Sequence, residues 1–240
     1  MIIEVCVTDL VSARLAQEAG ADRIEVCTSL ELGGLTPSYG LLQQLKKHIS
    51  IPIHVLLRPR AGDFMYSEEE LKVIELDLIF CKELGVAGVV LGALQPDATI
   101  DLDVIKKLKE LANGMHVTFH RAFDWVPNPM TALQDLERLG ITTILSSGQQ
   151  ATAEKGISLL KEMNALATKT QVMPGAGISP NNVSLFIENG FKSIHFSGTE
   201  LLTSTKYSDK LPMIANRNIG EGKRLLLSKE KLTTLINTVK

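Results

Sequence analysis

The sequence predicts an α/β fold, a single (β/α)8 TIM barrel, and three observations carry that prediction. The 240 residues match the roughly 250 of one such barrel. Short β-branched runs alternate with amphipathic stretches, the pattern of repeated βα units around a parallel sheet. The turn after the first run, Cys6-Val7-Thr8-Asp9, holds no glycine, whereas an open doubly wound sheet usually begins with a Gly-rich phosphate turn.

The elements follow in order. Strands are predicted over Ile2 to Cys6, Arg23 to Cys27, Ile53 to Arg58, Ala87 to Leu91, Met115 to His120, Thr142 to Ser146, Gln171 to Met173 and Ser193 to Phe196. Thr8 or Asp9 caps the first helix, Ser67 with Glu70 three residues on opens the third, and Ser179 followed by Pro180 opens the seventh. Gly20, Gly85, Gly114, Gly140 and Gly190 stand where a left-handed residue ends a helix before the next strand. The rhythm fails after Thr199. Glu200 to Gly222 is polar, with Pro212 and several Asn and Gly, and Ser228 to Val239 reads as a closing helix. The chain is therefore expected to be one domain, 1–240, with an irregular extension from about 200 that suits a subunit contact.

Composition excludes several classes. At 45% hydrophobic and 22% charged residues, usage is that of an ordinary globular protein. No apolar run approaches the ~20 residues of a membrane span, so no membrane partner is expected. The amino end carries no basic segment and reaches Glu4 almost at once, which predicts a cytoplasmic chain without a secretory or transit segment. Its 25 basic and 27 acidic residues form no basic stripe for a phosphate backbone, so no nucleic acid partner is expected. The three cysteines include no CxxC pair and make no disulfide framework.

Side chains of a barrel strand alternate between interior and helix layer, and strand carboxyl ends build the functional face. Ile3 and Val5 suit the helix layer, which turns Glu4 and Cys6 inward; Ile24 and Val26 likewise turn Glu25 and Cys27 inward. Two thiols on neighbouring strands would stand about 5 Å apart at Cβ, within reach of one ion, and soft sulfur favours Cu(I). Zinc would want four ligands that the sequence does not supply. The alternative is that both cysteines are small buried hydrophobes. Cys81 falls in a helical stripe with Leu71, Ile74 and Leu78 and is read as packing. Glu4 and Glu25 need cationic partners inside the barrel, with Arg23, Arg58 or His54 in reach, and Glu25 is a candidate catalytic group. His54 and His116 come early in their strands, toward the stability face.

Three loops add candidates. Arg58-Pro59-Arg60-Ala61-Gly62-Asp63-Phe64 reads as an anion clamp, two forked guanidinium groups oriented by Asp63. His120-Arg121-Ala122-Phe123-Asp124 puts an imidazole at a strand end and a carboxylate one turn on, a candidate acid–base pair of His120 and Asp124 with Arg121 as a further cation. Gly175 and Gly177 after the seventh strand, with Ser197 and Gly198 after the eighth, stand where barrels bind phosphate through backbone N–H groups.

Several of these stretches together resemble the CutC family of copper homeostasis proteins: Gly20 to Cys27, Gly33-Gly34-Leu35-Thr36-Pro37-Ser38, Arg58 to Phe64, Val117 to Asp124 and Ser147-Gly148-Gln149, with weaker likeness through His195. The resemblance spans the first to the sixth strand and leaves the tail uncovered. It implies a cytoplasmic barrel that forms a homo-oligomer and makes Cys6 and Cys27 ligands of Cu(I) by position. The chain departs from the family pattern at Pro174 and Ala176 in a glycine-rich turn, and at Ala98 after Asp97. Three functions stand open: a copper homeostasis protein holding Cu(I), a barrel enzyme doing acid–base chemistry on a small phosphorylated or carboxylated metabolite, or a scaffold barrel whose polar mouth contacts a protein partner.

Overall fold

The computed structural model describes residues 1–203 and 223–240, and most of the expected irregular extension lies outside the described residues. The elements are β1 (Ile2–Val7), α1 (Leu10–Ala19), β2 (Arg23–Val26), α2 (Tyr39–His48), β3 (Ile53–Leu56), α3 (Glu68–Leu84), β4 (Gly88–Leu91), α4 (Leu102–Leu111), β5 (His116–Phe119), α5 (Pro129–Arg138), β6 (Thr143–Ser146), α6 (Ile157–Leu166), β7 (Gln171–Pro174), α7 (Val183–Glu188), β8 (Ser193–Phe196), β9 (Thr199–Thr203), β10 (Lys223–Leu227) and α8 (Lys229–Val239). Eight parallel strands pair in the order β7-β6-β5-β4-β3-β2-β1-β8. β7 and β8 are in contact without a ladder between them, so the (β/α)8 barrel is nearly closed.

Local chemistry sets most helix ends. Asp9 caps α1 by accepting from the Ser12 N–H, and Ser67 with Glu70 forms the reciprocal capping box of α3. Gly20, Gly85, Gly114, Gly140 and Gly190 all take positive φ. The seventh helix corrects the expectation. It begins at Val183 with Asn182 as its cap, because the Asn182 amide folds back on the loop, accepting from Ser179 N–H and donating to the Gly177 carbonyl. After β8, β9 pairs antiparallel with β10, Thr199 facing Leu227. Helix α8 then packs against α7 and α1 and completes the outer layer.

The period-2 rule places the core. Ile3, Val5, Ile24, Val26, Val55, Val89, Val117, Ile144, Val172 and Ile194 are buried between sheet and helices. The opposite parity faces the barrel axis, where Glu4 registers with Arg23 and His195, Cys6 with Glu25, and Glu25 with His54. Two glycines of β4 and its exit admit large side chains from neighbouring strands. A Cβ at Gly88 would stand 2.7 Å from the His54 ring, and one at Gly92 2.6 Å from the His120 ring.

Candidate functional site

The lower interior is a charged network. Arg23 Nε donates to Glu4 Oε2 at 2.6 Å, His195 Nδ1 lies 2.9 Å from Glu4 Oε1 and 3.2 Å from Glu25 Oε2, and His54 Nδ1 stands 3.4 Å from Glu4 Oε2 without hydrogen-bond alignment. Of the three cations expected near these glutamates, Arg23 and His54 are there and Arg58 is not. Burial alone would raise the Glu4 carboxyl, but His195, His54 and Arg23 outweigh it and hold Glu4 well below the usual carboxylate range. Glu25 lacks that support. Burial pushes it up to about 7, His195 and Arg23 opposing and Glu4 adding to the rise. Burial works against a charged His195, yet Glu25 and Glu4 overcome it and raise its basicity. His116 is pulled down to about 3, by burial first and then by His54 and Arg23.

Above the network lie the thiols. Cys6 and Cys27 have their sulfurs 3.5 Å apart, packed with Leu56 and Val90 inside the barrel. The hydrogen bond to Cys27, burial and the two glutamates push the Cys6 thiol well above its usual range, so it holds its proton. Cys6, Glu25 and His195 each bring a ligand atom within 4.8 Å of the others. Cys81 is buried in α3 as read, burial pushing its thiol up to about 12.

One cavity of about 330 Å³ joins the thiols to the loops, lined among others by Cys6, Glu25, Cys27, Arg58, His120 and His195. Thiol site and arginine–histidine site are therefore one space. Arg58 is buried, and its terminal nitrogens donate to the carbonyls of Leu32, Gly34 and Gly62, while Nε has no partner. No carboxylate pairs with it among the described residues. Its guanidinium lies 5.2 Å from the Phe64 ring centre. His120 accepts the Ala122 N–H at Nδ1, and its Nε2 is buried without a partner. Burial, with Arg58 nearby, pulls His120 down to about 3 and keeps the imidazole neutral.

The expected pairings largely dissolve. Asp124 does not contact His120. Its carboxylate accepts from Arg121 Nε at 2.8 Å, Ser146 Oγ at 2.6 Å, and the Ser147 N–H and Oγ, and so shapes the loop after β6. Arg121 lines the cavity with its charge matched by Asp124. Arg60 and Asp63 do pair, at 3.0 Å, but Arg60 turns to Glu70 and the Met65 carbonyl, and neither residue lines the cavity. The clamp is thus Arg58 alone. Ser197 and Ala176 line the cavity from the turns after β8 and β7. Gly175 and Gly198 sit against Leu145 and Phe196, close enough that a Cβ would meet them at 2.5 and 2.2 Å, and Gly177 lies against Thr152.

His195 and Trp125 went unselected in the sequence. The alternation that turns Glu4, Cys6, Glu25 and Cys27 inward, applied to the eighth strand, turns His195 inward as well, a usable signal. Trp125, the sole tryptophan, lines the cavity and is 54% exposed.

Residues 1–200 match the model of the CutC family. A CutC family protein of Pasteurella multocida (strain Pm70) is 42% identical over 223 residues, covering 92% of this chain and 89% of the relative. A crystal structure of a CutC from Streptococcus agalactiae, to which copper homeostasis is attributed, matches with a TM-score of 0.77 at 30% identity, covering 81% of this chain and 97% of that one. Phosphoribosyl anthranilate isomerase of Thermus thermophilus matches with a TM-score of 0.59 at 14% identity over 100% of this chain and 98% of its own, a likeness of fold alone.

Proposed function

The chain belongs to the CutC family, and we propose that its barrel mouth takes up a small anionic organic molecule and moves a proton on it. The observation that carries this reading is Arg58, a buried cation with no carboxylate partner among the described residues, in a cavity of about 330 Å³. A buried charge left without a counter-ion is costly, and a ligand anion would supply one. The volume falls in the range of small-molecule pockets, about 300–1,000 Å³. His120 serves as a neutral N–H donor, and Glu25 with His195 as the groups that hold and release a proton. Asp124 acts by positioning Arg121 and the loop after β6, and the turns bearing Gly175, Gly177, Ser197 and Gly198 would close around the ligand's far end. Arg60 and Asp63 brace the loop that carries Arg58. The test is thermal stabilisation by a panel of small phosphorylated and carboxylated compounds. At least one should raise the melting temperature of the wild type and lose that effect in Arg58→Ala and His120→Ala; no response to any of them defeats the reading.

A second reading, copper homeostasis with Cu(I) as cargo, is favoured by the thiol pair. At a separation of 3.5 Å, two bonds of about 2.3 Å, the length of a zinc–thiolate bond, would subtend about 100° at the ion. That is far from the straight line of a two-coordinate ion and calls for a third ligand, for which His195 or Glu25 is at hand. Anaerobic Cu(I) titration of wild type, Cys6→Ser and Cys27→Ser decides it, and equal binding by all three would end it. Either reading suits a cytoplasmic homo-oligomer without nucleic acid or membrane partners. Among the described residues no helix is long and apolar enough to cross a membrane, and Leu201 and Leu202 of β9 stand half exposed, ready for a subunit contact. Sedimentation of the purified chain tests the assembly.

A further inference from the structure

We infer that the ligand of this cavity is a monocarboxylate with a flat apolar body, its carboxylate held by Arg58 and His120 and its body laid against Trp125. This rests on the small-anion reading above and narrows it to one chemical class.

Charge and donor number argue for the carboxylate. Arg58 and His120 line the cavity, and each keeps one buried N–H without a partner among the described residues, Nε of Arg58 and Nε2 of His120. The proton of neutral His120 must sit on Nε2, because Nδ1 accepts the Ala122 N–H. Arg121 on this wall is paired with Asp124 and His195 with Glu4 and Glu25, so the charge left unmatched is that of Arg58 alone, and a carboxylate brings one negative charge and two acceptor oxygens for it and for the free N–H groups. A phosphate monoester brings up to two charges and three terminal oxygens into a space that already holds Glu25. The neutral imidazole answers neither excess.

The body follows from the aromatic surface beside those donors. Phe64 stands 4.9 Å from the rings of both His120 and Trp125, so a continuous aromatic wall runs from the anion-binding groups to the rim. Leu30, Leu56 and Leu145 complete the apolar lining. A wholly polar ligand would leave this surface facing water, whereas a ring would cover it and stack on the half-exposed indole. The volume, at the lower end of small-molecule pockets, accommodates a single-ring compound.

Trp125 is the sole tryptophan, so its emission reports directly on the seat. The wild-type chain is titrated with benzoate, phenylpyruvate, benzamide, phenyl phosphate and acetate, with calorimetry beside the fluorescence. Benzoate or phenylpyruvate should shift the emission saturably and bind at least about tenfold more tightly than benzamide or acetate, the loss expected when a charge-assisted hydrogen bond or the ring is missing, and more tightly than phenyl phosphate, whose extra charge and oxygen find no partner beside Glu25. In Trp125→Leu, a change at the exposed rim, the aryl carboxylates should weaken about three- to tenfold with acetate unaffected. Phenyl phosphate binding as tightly as the aryl carboxylates overturns the carboxylate assignment and leaves the small-anion reading standing. Benzamide equal to benzoate, or unchanged aryl affinity in Trp125→Leu, overturns the inference as well. Silence from both aryl carboxylates overturns the inference, and the small-anion reading falls with it only if the wider panel of phosphorylated and carboxylated compounds is silent too.

Discussion

His195 Nδ1 lies 2.9 Å from Oε1 of Glu4, a contact between the last and first barrel strands across 191 residues of sequence. Glu4 is fully buried, and its other oxygen takes the Arg23 guanidinium at 2.6 Å. Glu4→Gln therefore leaves a buried arginine without its counter-ion and His195 with only Glu25. The expected cost is about 3–5 kcal/mol of stability, read as a shifted denaturation midpoint. A shift worth less than about 1 kcal/mol would mean that the network holds together without its central carboxylate.

His116 is half-buried and His120 buried, and both are neutral, drawn from the usual 6.5 down to about 3. The unfolded chain takes up protons on both below pH 6.5, while the folded chain resists until about pH 3. Their contribution is thus fully present above pH 6.5 and is lost as pH falls through that window, at about 1.4 kcal/mol per pH unit for each. Glu25, raised to about 7, has the opposite sign between its usual 4.5 and 7. Removing one histidine isolates its share. In His120→Asn, the slope of unfolding free energy between pH 4 and 6 should be lower by about 1.4 kcal/mol per unit than in the wild type, and an unchanged slope would show His120 to be protonated in the fold.

All three thiols are buried, and Cys6 is held protonated by Cys27, by burial and by two glutamates. Aromatic disulfide reagents should leave the native chain unmodified at pH 7 over many minutes and titrate three thiols once it is unfolded. Rapid reaction of one or two thiols in the native state would point to a thiolate that these surroundings argue against.

Ala98 holds φ at 62°, in the left-handed region, in the turn between β4 and α4. An L-residue there costs about 1–2 kcal/mol, and replacement by glycine adds about 0.4–1 kcal/mol of entropy to the unfolded chain. Ala98→Gly should therefore stabilise by roughly 0.5–1 kcal/mol, seen as a higher melting temperature. Ala176, at 77° in the turn after β7, carries the same strain beside the cavity. A lower melting temperature for Ala98→Gly would show that the methyl makes a contact worth more than the strain.

Much of this was legible in the residues. Eight strands appear within a few residues of their predicted ends, and the inward placement of Glu4, Cys6, Glu25 and Cys27 followed from period alone. The two alanines that depart from the family pattern sit at positive φ, as a glycine position would lead one to expect. The candidate site was legible as a set of residues and not as a set of pairs. Asp124 was matched to His120 because they are four positions apart, but the serine hydroxyls and amides after β6 offer that carboxylate a fuller set of donors. Arg60 was grouped with Arg58 by proximity, yet Glu70 on α3 draws it outward.

Sequence by itself determined the strands, their inward faces and most helix ends, because each depends on sterics and periodicity within a few residues. Only the tertiary structure decided which charges meet. Barrel closure sets β8 beside β1 and brings His195 to Glu4, and the path of the loop after β2 surrounds Arg58 with carbonyls instead of carboxylates. A buried charge settles on the partners that long-range geometry puts within about 3 Å, and that choice left Arg58 as the cation that a ligand would answer.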